Sequence, residues 1–126
     1  GMIRFNGADQ YLRQTVSADG GRTWTRIVKT PMVGLPPHLI RLADNKLVCV
    51  YARRVWDQWG EYACLSDDGG KTWDVANEIK LANGFQTDLG YPSTCVLGDG
   101  SLLTVYYQQP DKKSKCALMA TKWKVK

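Results

Sequence analysis

Ser17-Ala18-Asp19-Gly20-Gly21-Arg22-Thr23-Trp24 and Ser66-Asp67-Asp68-Gly69-Gly70-Lys71-Thr72-Trp73 are one phrase written twice, 49 residues apart, in a chain of 126 residues. Each residue type in it suits a tight, capped turn. The Asp side chain accepts backbone N–H groups, as in Asx turns. The glycines allow positive φ. The closing Trp offers a large apolar ring for burial between sheets. A second pair recurs 55 residues apart: PHLIRLADNKLVCVYAR (37–53) and PSTCVLGDGSLLTVYYQ (92–108). In it Pro37/Pro92, Leu42/Leu97, Asp44/Asp99, Leu47/Leu102, Val50/Val105 and Tyr51/Tyr106 align. A period of about 50 residues built of short strands indicates a propeller or another repeat array.

Working outward, the apolar, β-branched runs His38–Leu42 and Leu47–Arg53 flank Asp44-Asn45, a hairpin turn signal. Ser93–Leu97 and Leu102–Tyr107 repeat that hairpin around Asp99-Gly100. Tyr62–Ser66 and Trp73–Val75 are expected to form a second hairpin across the Asp-Asp-Gly-Gly turn. Residues 37–81 thus read as a four-stranded antiparallel unit. Half a unit (Tyr11–Val28) precedes it, and strands Ser93–Leu97, Leu102–Tyr107 and Cys116–Val125 follow. No segment shows a helical period.

Composition is that of one globular domain, 44% hydrophobic and 23% charged. No apolar run approaches the roughly 20 residues of a membrane span, so no membrane partner is expected. The net charge of +5 is local: residues 1–110 hold 11 basic and 11 acidic side chains, which cancel. The excess sits in Lys112, Lys113, Lys115, Lys122, Lys124 and Lys126, against Asp111 alone. Lysines alternating along a terminal strand protect an edge, and no nucleic-acid motif accompanies them, so no nucleic-acid partner is expected. Cys49, Cys64, Cys95 and Cys116 lack metal-ligand spacing and sit in apolar runs, which reads as buried free thiols, with a disulfide as the alternative that an even count allows. With one histidine, no metal site and no cofactor are expected. Gly1 ahead of Met2 reads as a vector remnant, and no secretory signal opens the chain. A cytoplasmic location follows if Met2 is the natural start.

The pattern Ser-x-Asp-x-Gly-x-Thr-Trp resembles the Asp box, or BNR repeat, of the sialidase superfamily. Gly90-Tyr91-Pro92-Ser93, LGDGSLLTVYYQ and the closing ATKWKV also resemble the C-terminal part of a bacterial sialidase-like protein. The resemblance spans roughly residues 3–125. It implies an all-β, six-bladed propeller of four-stranded antiparallel blades, of which about two and a half are present. The segments are then a half blade (1–36) with the first Asp box, a complete blade (37–91) with the second, and three strands of a last blade (92–126). In the family Asp boxes lie on the outer rim. Ser17, Asp19, Gly21, Thr23, Trp24, Ser66, Asp68, Gly70, Thr72 and Trp73 are therefore expected to be structural, with both Trp rings packed between sheets. Propellers usually close with four to eight blades, so the wedge is expected to be a fragment or to associate as a homo-oligomer, dimer or trimer.

Propeller geometry gathers Leu35–His38, Arg53–Glu61, Thr87–Ser93 and Gln108–Lys113 at one funnel. The resemblance places a Tyr nucleophile at Tyr91, since sialidases attack the anomeric carbon with a phenol. A phenol needs a base, and Asp88 is the nearby candidate. Sialidases grip a carboxylate with three arginines, because guanidinium forks bind carboxylates at two points. The stretch before the second Asp box, Gln58-Trp59-Gly60-Glu61-Tyr62, holds no arginine, so Arg53 and Arg54 are the substitutes. Trp56 and Trp59 suit stacking on sugar faces, and His38 and Glu61 are further ligand-capable residues. The function implied is a sialidase-like exo-glycosidase, or a subunit of one, acting on or binding acidic or substituted glycans. The alternatives are a non-catalytic carbohydrate-binding propeller and a structural module that self-associates.

Overall fold

In the computed structural model, which describes residues 1–125, the chain is all-β. Lys126, the last tail lysine, lies outside the described residues. Ten strands form three antiparallel sheets, and among the described residues the only helical turn is a single 3-10 turn, Val75–Asn77. The first sheet has three strands, β1 (Met2–Ile3), β2 (Tyr11–Gln14) and β3 (Val28–Val33), in that order. The second has four: β4 (Pro37–Arg41), β5 (Leu47–Arg53), β6 (Gly60–Ser66) and β7 (Ile79–Asn83). The third has three: β8 (Gly90–Val96), β9 (Leu102–Gln108) and β10 (Ala117–Trp123).

The hairpin registers follow from the turns. Asn45 takes positive φ (67°) and sets Leu47 opposite Arg41, while Gly100 (74°) does the same between β8 and β9. Three expectations fail. Trp73–Val75 is not a strand; the fourth strand of the second sheet is Ile79–Asn83. The chain leaving the Asp68–Trp73 turn first sends Trp73 inward, then makes the 3-10 turn capped by Asp74, whose carboxylate accepts from Asn77 N–H. The leading segment carries three strands rather than two, since Met2–Ile3 pairs with Arg13 and Gln14. Tyr91 and its neighbour Gly90 also belong to β8, so the third sheet starts earlier than residue 92.

Both faces of the second sheet are covered, which is why β5 is buried along nearly its whole length instead of alternating. On one face Cys49, Tyr51, Tyr62, Cys64 and Trp73 pack with Leu12 and Met32 of the first sheet. On the other, Val48, Val50 and Ala63 pack with Trp123 of β10. Cys49 and Cys64 are indeed buried, opposite each other across β5 and β6, but Cys95 and Cys116 are exposed, since they sit outside both cores. All four thiols are free. The third sheet buries only one face: along β8, Gly90, Pro92 and Thr94 are covered while Tyr91, Ser93 and Cys95 are exposed.

The two Ser-x-Asp-x-Gly-x-Thr-Trp turns fold alike. Asp19 Oδ1 accepts from Thr23 N–H at 2.9 Å, Oδ2 accepts from Thr23 Oγ1 at 2.7 Å, and Ser17 Oγ accepts from Gly21 N–H at 2.7 Å. Asp68 repeats these contacts with Thr72 at 2.9 and 2.6 Å, and Ser66 Oγ accepts from Gly70 N–H at 2.8 Å. These donors hold Asp19 down to about 2 and Asp68 well below the usual carboxylate range. The tryptophans differ. Trp73 is 8% exposed and donates its indole N–H to Gln14 Oε1 at 2.8 Å, while Gln14 Nε2 donates to Gly70 O at 2.7 Å. Trp24, also expected between sheets, is 55% exposed, because this chain places no sheet against the outer side of the first.

Candidate functional site

β6 runs from the Arg53–Gly60 loop to the Ser66–Trp73 turn, seven residues or about 20 Å. The loops joining β5 to β6, β7 to β8 and β9 to β10 therefore lie at the end of the sheets opposite the two Ser-x-Asp-x-Gly-x-Thr-Trp turns. The structure brings Tyr91, Arg54, Asp88 and Tyr107 together there, with Arg4 from the end of β1. Arg4 had no sequence signal; its only hint was its place just after a strand at the same end. Arg4 Nη1 donates to Tyr91 Oη at 2.9 Å, with its guanidinium carbon 5.9 Å from the ring centroid. The Arg54 guanidinium lies 5.8 Å from that centroid. Tyr91 is 57% exposed and has a φ of +52°, a conformation that non-glycine residues rarely adopt and that marks a position held by its surroundings. Part of that restraint is Gly90: with φ of +124°, a Cβ there would stand 2.7 Å from Ala52 Cβ and 3.4 Å from Arg54 Nη2.

Asp88 does not serve Tyr91. Its Oδ1 accepts from Tyr107 Oη at 2.7 Å, and Tyr107 packs on Tyr91 at 5.9 Å between centroids. Burial and the Asp88 carboxylate both push the Tyr107 phenol upward. No described residue offers a carboxylate oxygen to Tyr91 Oη.

Arg53 is committed elsewhere. Its Nη2 donates to both Glu78 oxygens at 2.7 Å, Nε donates to Val33 O at 3.1 Å, and Nη1 donates to Gln58 Oε1 at 3.3 Å. The guanidinium also covers Tyr62 at 4.2 Å, and Tyr51 Oη donates to Glu78. Burial raises the Glu78 carboxyl to about 7, while the two-point contact with Arg53 opposes that rise. This pair fixes β5 to the start of β7, which corrects the substrate-binding expectation for Arg53. His38 is corrected likewise: its Nδ1 accepts Thr94 N–H at 3.1 Å, joining β4 to β8 across sheets. Glu61 is corrected by burial. It is 0% exposed, facing the third sheet, and neither oxygen has a partner among the described residues. Burial lifts it to about 8 against the pull of Arg54. Arg54 Nε and Nη2 are themselves buried and unpartnered.

Trp56 and Trp59 are side by side, edge to face at 4.9 Å and 82°, with Trp56 80% exposed. A cleft of about 910 Å³ lies at the opposite end, beside the Ser66–Trp73 turn, lined by Lys46, Asp67, Asp74, Glu78 and Lys124 among others. It contains none of the residues gathered around Tyr91. Among the described residues no cluster of three or more His, Cys, Asp or Glu could hold a metal ion. No described helix is long and apolar enough to cross a membrane.

Comparison of the sequence with protein-family profiles and with curated proteins gives no match. One solved fold is close. The crystal structure of a protein of unknown function from Dyadobacter fermentans DSM 18053 superposes with a TM-score of 0.86 at 28% identity, over 99% of this chain. The chain spans 34% of that protein's length. The similarity extends through all three sheets, and its description assigns no activity.

Proposed function

We propose that the chain is part of a sialidase-like β-propeller of the six-bladed type that recognises acidic glycans at the Tyr91 end. The observation that carries this is the pairing of Arg4 with Tyr91 Oη at 2.9 Å, with Arg54 beside the same ring. Two guanidiniums around an exposed phenol suit a ligand carboxylate, which each binds by charge-assisted hydrogen bonds. In the hydrolytic form of this reading, Tyr91 Oη bonds to the anomeric carbon as the glycosidic C–O bond breaks. The phenol proton passes to a base, and the leaving oxygen takes a proton from an acid. Asp88 is occupied by Tyr107, so both groups come from outside the described residues. Chain length supports the same view, since the Dyadobacter protein is about three times as long.

Calorimetric titration with N-acetylneuraminate and glucuronate, against neutral N-acetylglucosamine and glucose, tests the recognition. Binding of the acidic sugars, weakened roughly tenfold or more by Arg4→Ala or Arg54→Ala, is expected. Equal affinity for the neutral sugars sinks it. Where a fluorogenic sialoside is cleaved, Tyr91→Phe abolishes cleavage and spares binding; full cleavage by that variant ends the nucleophile assignment.

The second reading is a self-associating module, and exposed apolar side chains favour it. Val16, Trp24, Ile27 and Val28 are 48–55% exposed around the first sheet, and Val96 (51%) and Leu118 (78%) around the third. Light scattering that gives two or three times 14.1 kDa supports it, and a monomer removes it.

A further inference from the structure

Beside the Tyr91 cluster, and sharing no lining residue with it, a cleft of about 440 Å³ is walled by Trp56, Trp59, Phe85, Asn83, Lys80 and Lys112, with Asp57 at its rim. Its construction is that of a platform rather than a core. Trp56 is 80% exposed, and its ring stands at 82° to that of Trp59 with 4.9 Å between centroids. Beneath, Gly84 N–H donates to Trp59 O at 2.9 Å, clamping the β5–β6 loop to the β7–β8 loop. A Cβ at Gly84 would meet Leu89 at 2.4 Å and Gly60 N at 3.0 Å, so this clamp permits no side chain. The turn itself is set by Gln58 N–H donating to Val55 O at 3.1 Å and by Asp57 at φ of +64°. The Trp59 indole N–H is buried with no acceptor among the described residues. Lys80 and Lys112 are exposed, and no described carboxylate lies within 4 Å of either ammonium.

We infer that this cleft is a second saccharide site, binding an anionic sugar unit stacked on Trp56 with its carboxylate or sulfate between Lys80 and Lys112. An indole face offers a flat apolar surface to the C–H face of a pyranose. The preset loop keeps the ordering cost of binding low. The two ammonium groups supply the charge complement. The inference stands whether or not Tyr91 is a nucleophile.

Affinity electrophoresis of the whole chain through gels holding polygalacturonate, dextran sulfate or neutral dextran tests it. Polygalacturonate or dextran sulfate is expected to retard the protein, and the stronger of the two identifies the anion. Trp56→Ala keeps the net charge of +5, so charge attraction alone leaves its retardation unchanged. Expected instead is a loss of about tenfold or more in affinity, with a several-fold loss for Lys112→Gln. An unchanged melting temperature for Trp56→Ala shows that the fold survives, as its exposure requires. Wild-type retardation of Trp56→Ala, equal retardation by neutral dextran, or no retardation by any polymer overturns the inference. Arg4→Gln removes one positive charge, as Lys112→Gln does, and a loss as large for it as for Lys112→Gln overturns the separateness of the site while leaving the Tyr91 reading intact.

Discussion

Replacing Trp73 by Ala should cost far more than replacing Trp24 by Ala, though the two residues occupy the same place in the same motif. Trp73 is 8% exposed and Trp24 is 55% exposed. A tryptophan buries about 200 Å² when covered, which at about 25 cal/mol per Å² is an upper bound near 5 kcal/mol for Trp73. The same arithmetic gives about 2 kcal/mol for Trp24. Removing the Trp73 indole also frees Gln14 Oε1 from its 2.8 Å donor and opens a cavity beside Leu12, Met32 and Tyr51. A loss of about 3–5 kcal/mol is expected for Trp73→Ala, and at most about 2 kcal/mol for Trp24→Ala. For a domain of this size each kcal/mol moves the melting temperature by roughly 3–5 °C, so the first variant should melt about 10–20 °C below the parent. Circular dichroism melts, with urea titrations to fix the slope, give the comparison. Equal losses for the two variants would refute the reasoning, because they would mean that Trp24 is covered in solution by something outside this chain's own sheets.

Three further outcomes follow from the charged groups. Arg53→Ala should destabilise by about 3 kcal/mol, since it strands Glu78 at a site where both side chains are mostly buried, and Arg53→Lys should recover only part because a single ammonium does not replace the fork; urea unfolding of both, in a cycle with Glu78→Gln, measures the coupling. Glu61 holds its proton to about pH 8 when folded but loses it near 4.5 when unfolded, so the native state binds more protons between these values and stability falls as pH rises through that window. Glu61→Gln should flatten this slope and gain on the order of 2–4 kcal/mol over the parent at pH 8, and a parallel pH dependence for the two proteins counts against it. Asp19 and Asp68 behave oppositely: their contribution is present above an unfolded value of 3.8 and is lost as pH falls, toward 2 for Asp19 and lower still for Asp68, so Asp19→Asn should blunt the acid limb of the stability profile measured between pH 5 and 2.

Much of the scaffold was legible because its signals are local. A Ser-x-Asp-x-Gly-x-Thr-Trp turn satisfies its own hydrogen bonds within eight residues, so both copies fold as the sequence implies. The β4–β5 and β8–β9 hairpins are likewise fixed by their turn residues and alternating runs. The fourth strand of the second sheet was missed because Trp73 is β-prone and apolar, yet its ring is spent on the first sheet and the strand begins only after the 3-10 turn, at Ile79.

The candidate site was legible only in part. The sequence by itself determined that Tyr91, Asp88, Arg54 and the Trp56–Trp59 loop sit at one end of the strands, because strand period and loop position decide which end a residue occupies. Tertiary structure alone decided which of them meet. Arg4, 87 residues from Tyr91, reaches its hydroxyl because the first and third sheets both pack against the second. Arg53 and Arg54 are adjacent in sequence, but neighbouring residues on a strand end point to opposite faces, so one is spent on Glu78 and the other reaches Tyr91. The same alternation sends Glu61 into the interface with the third sheet, where only the neighbouring sheet could tell that it is buried. Local turns follow from short-range hydrogen bonds that a sequence spells out, whereas the partners of a charged side chain depend on which sheet face covers it.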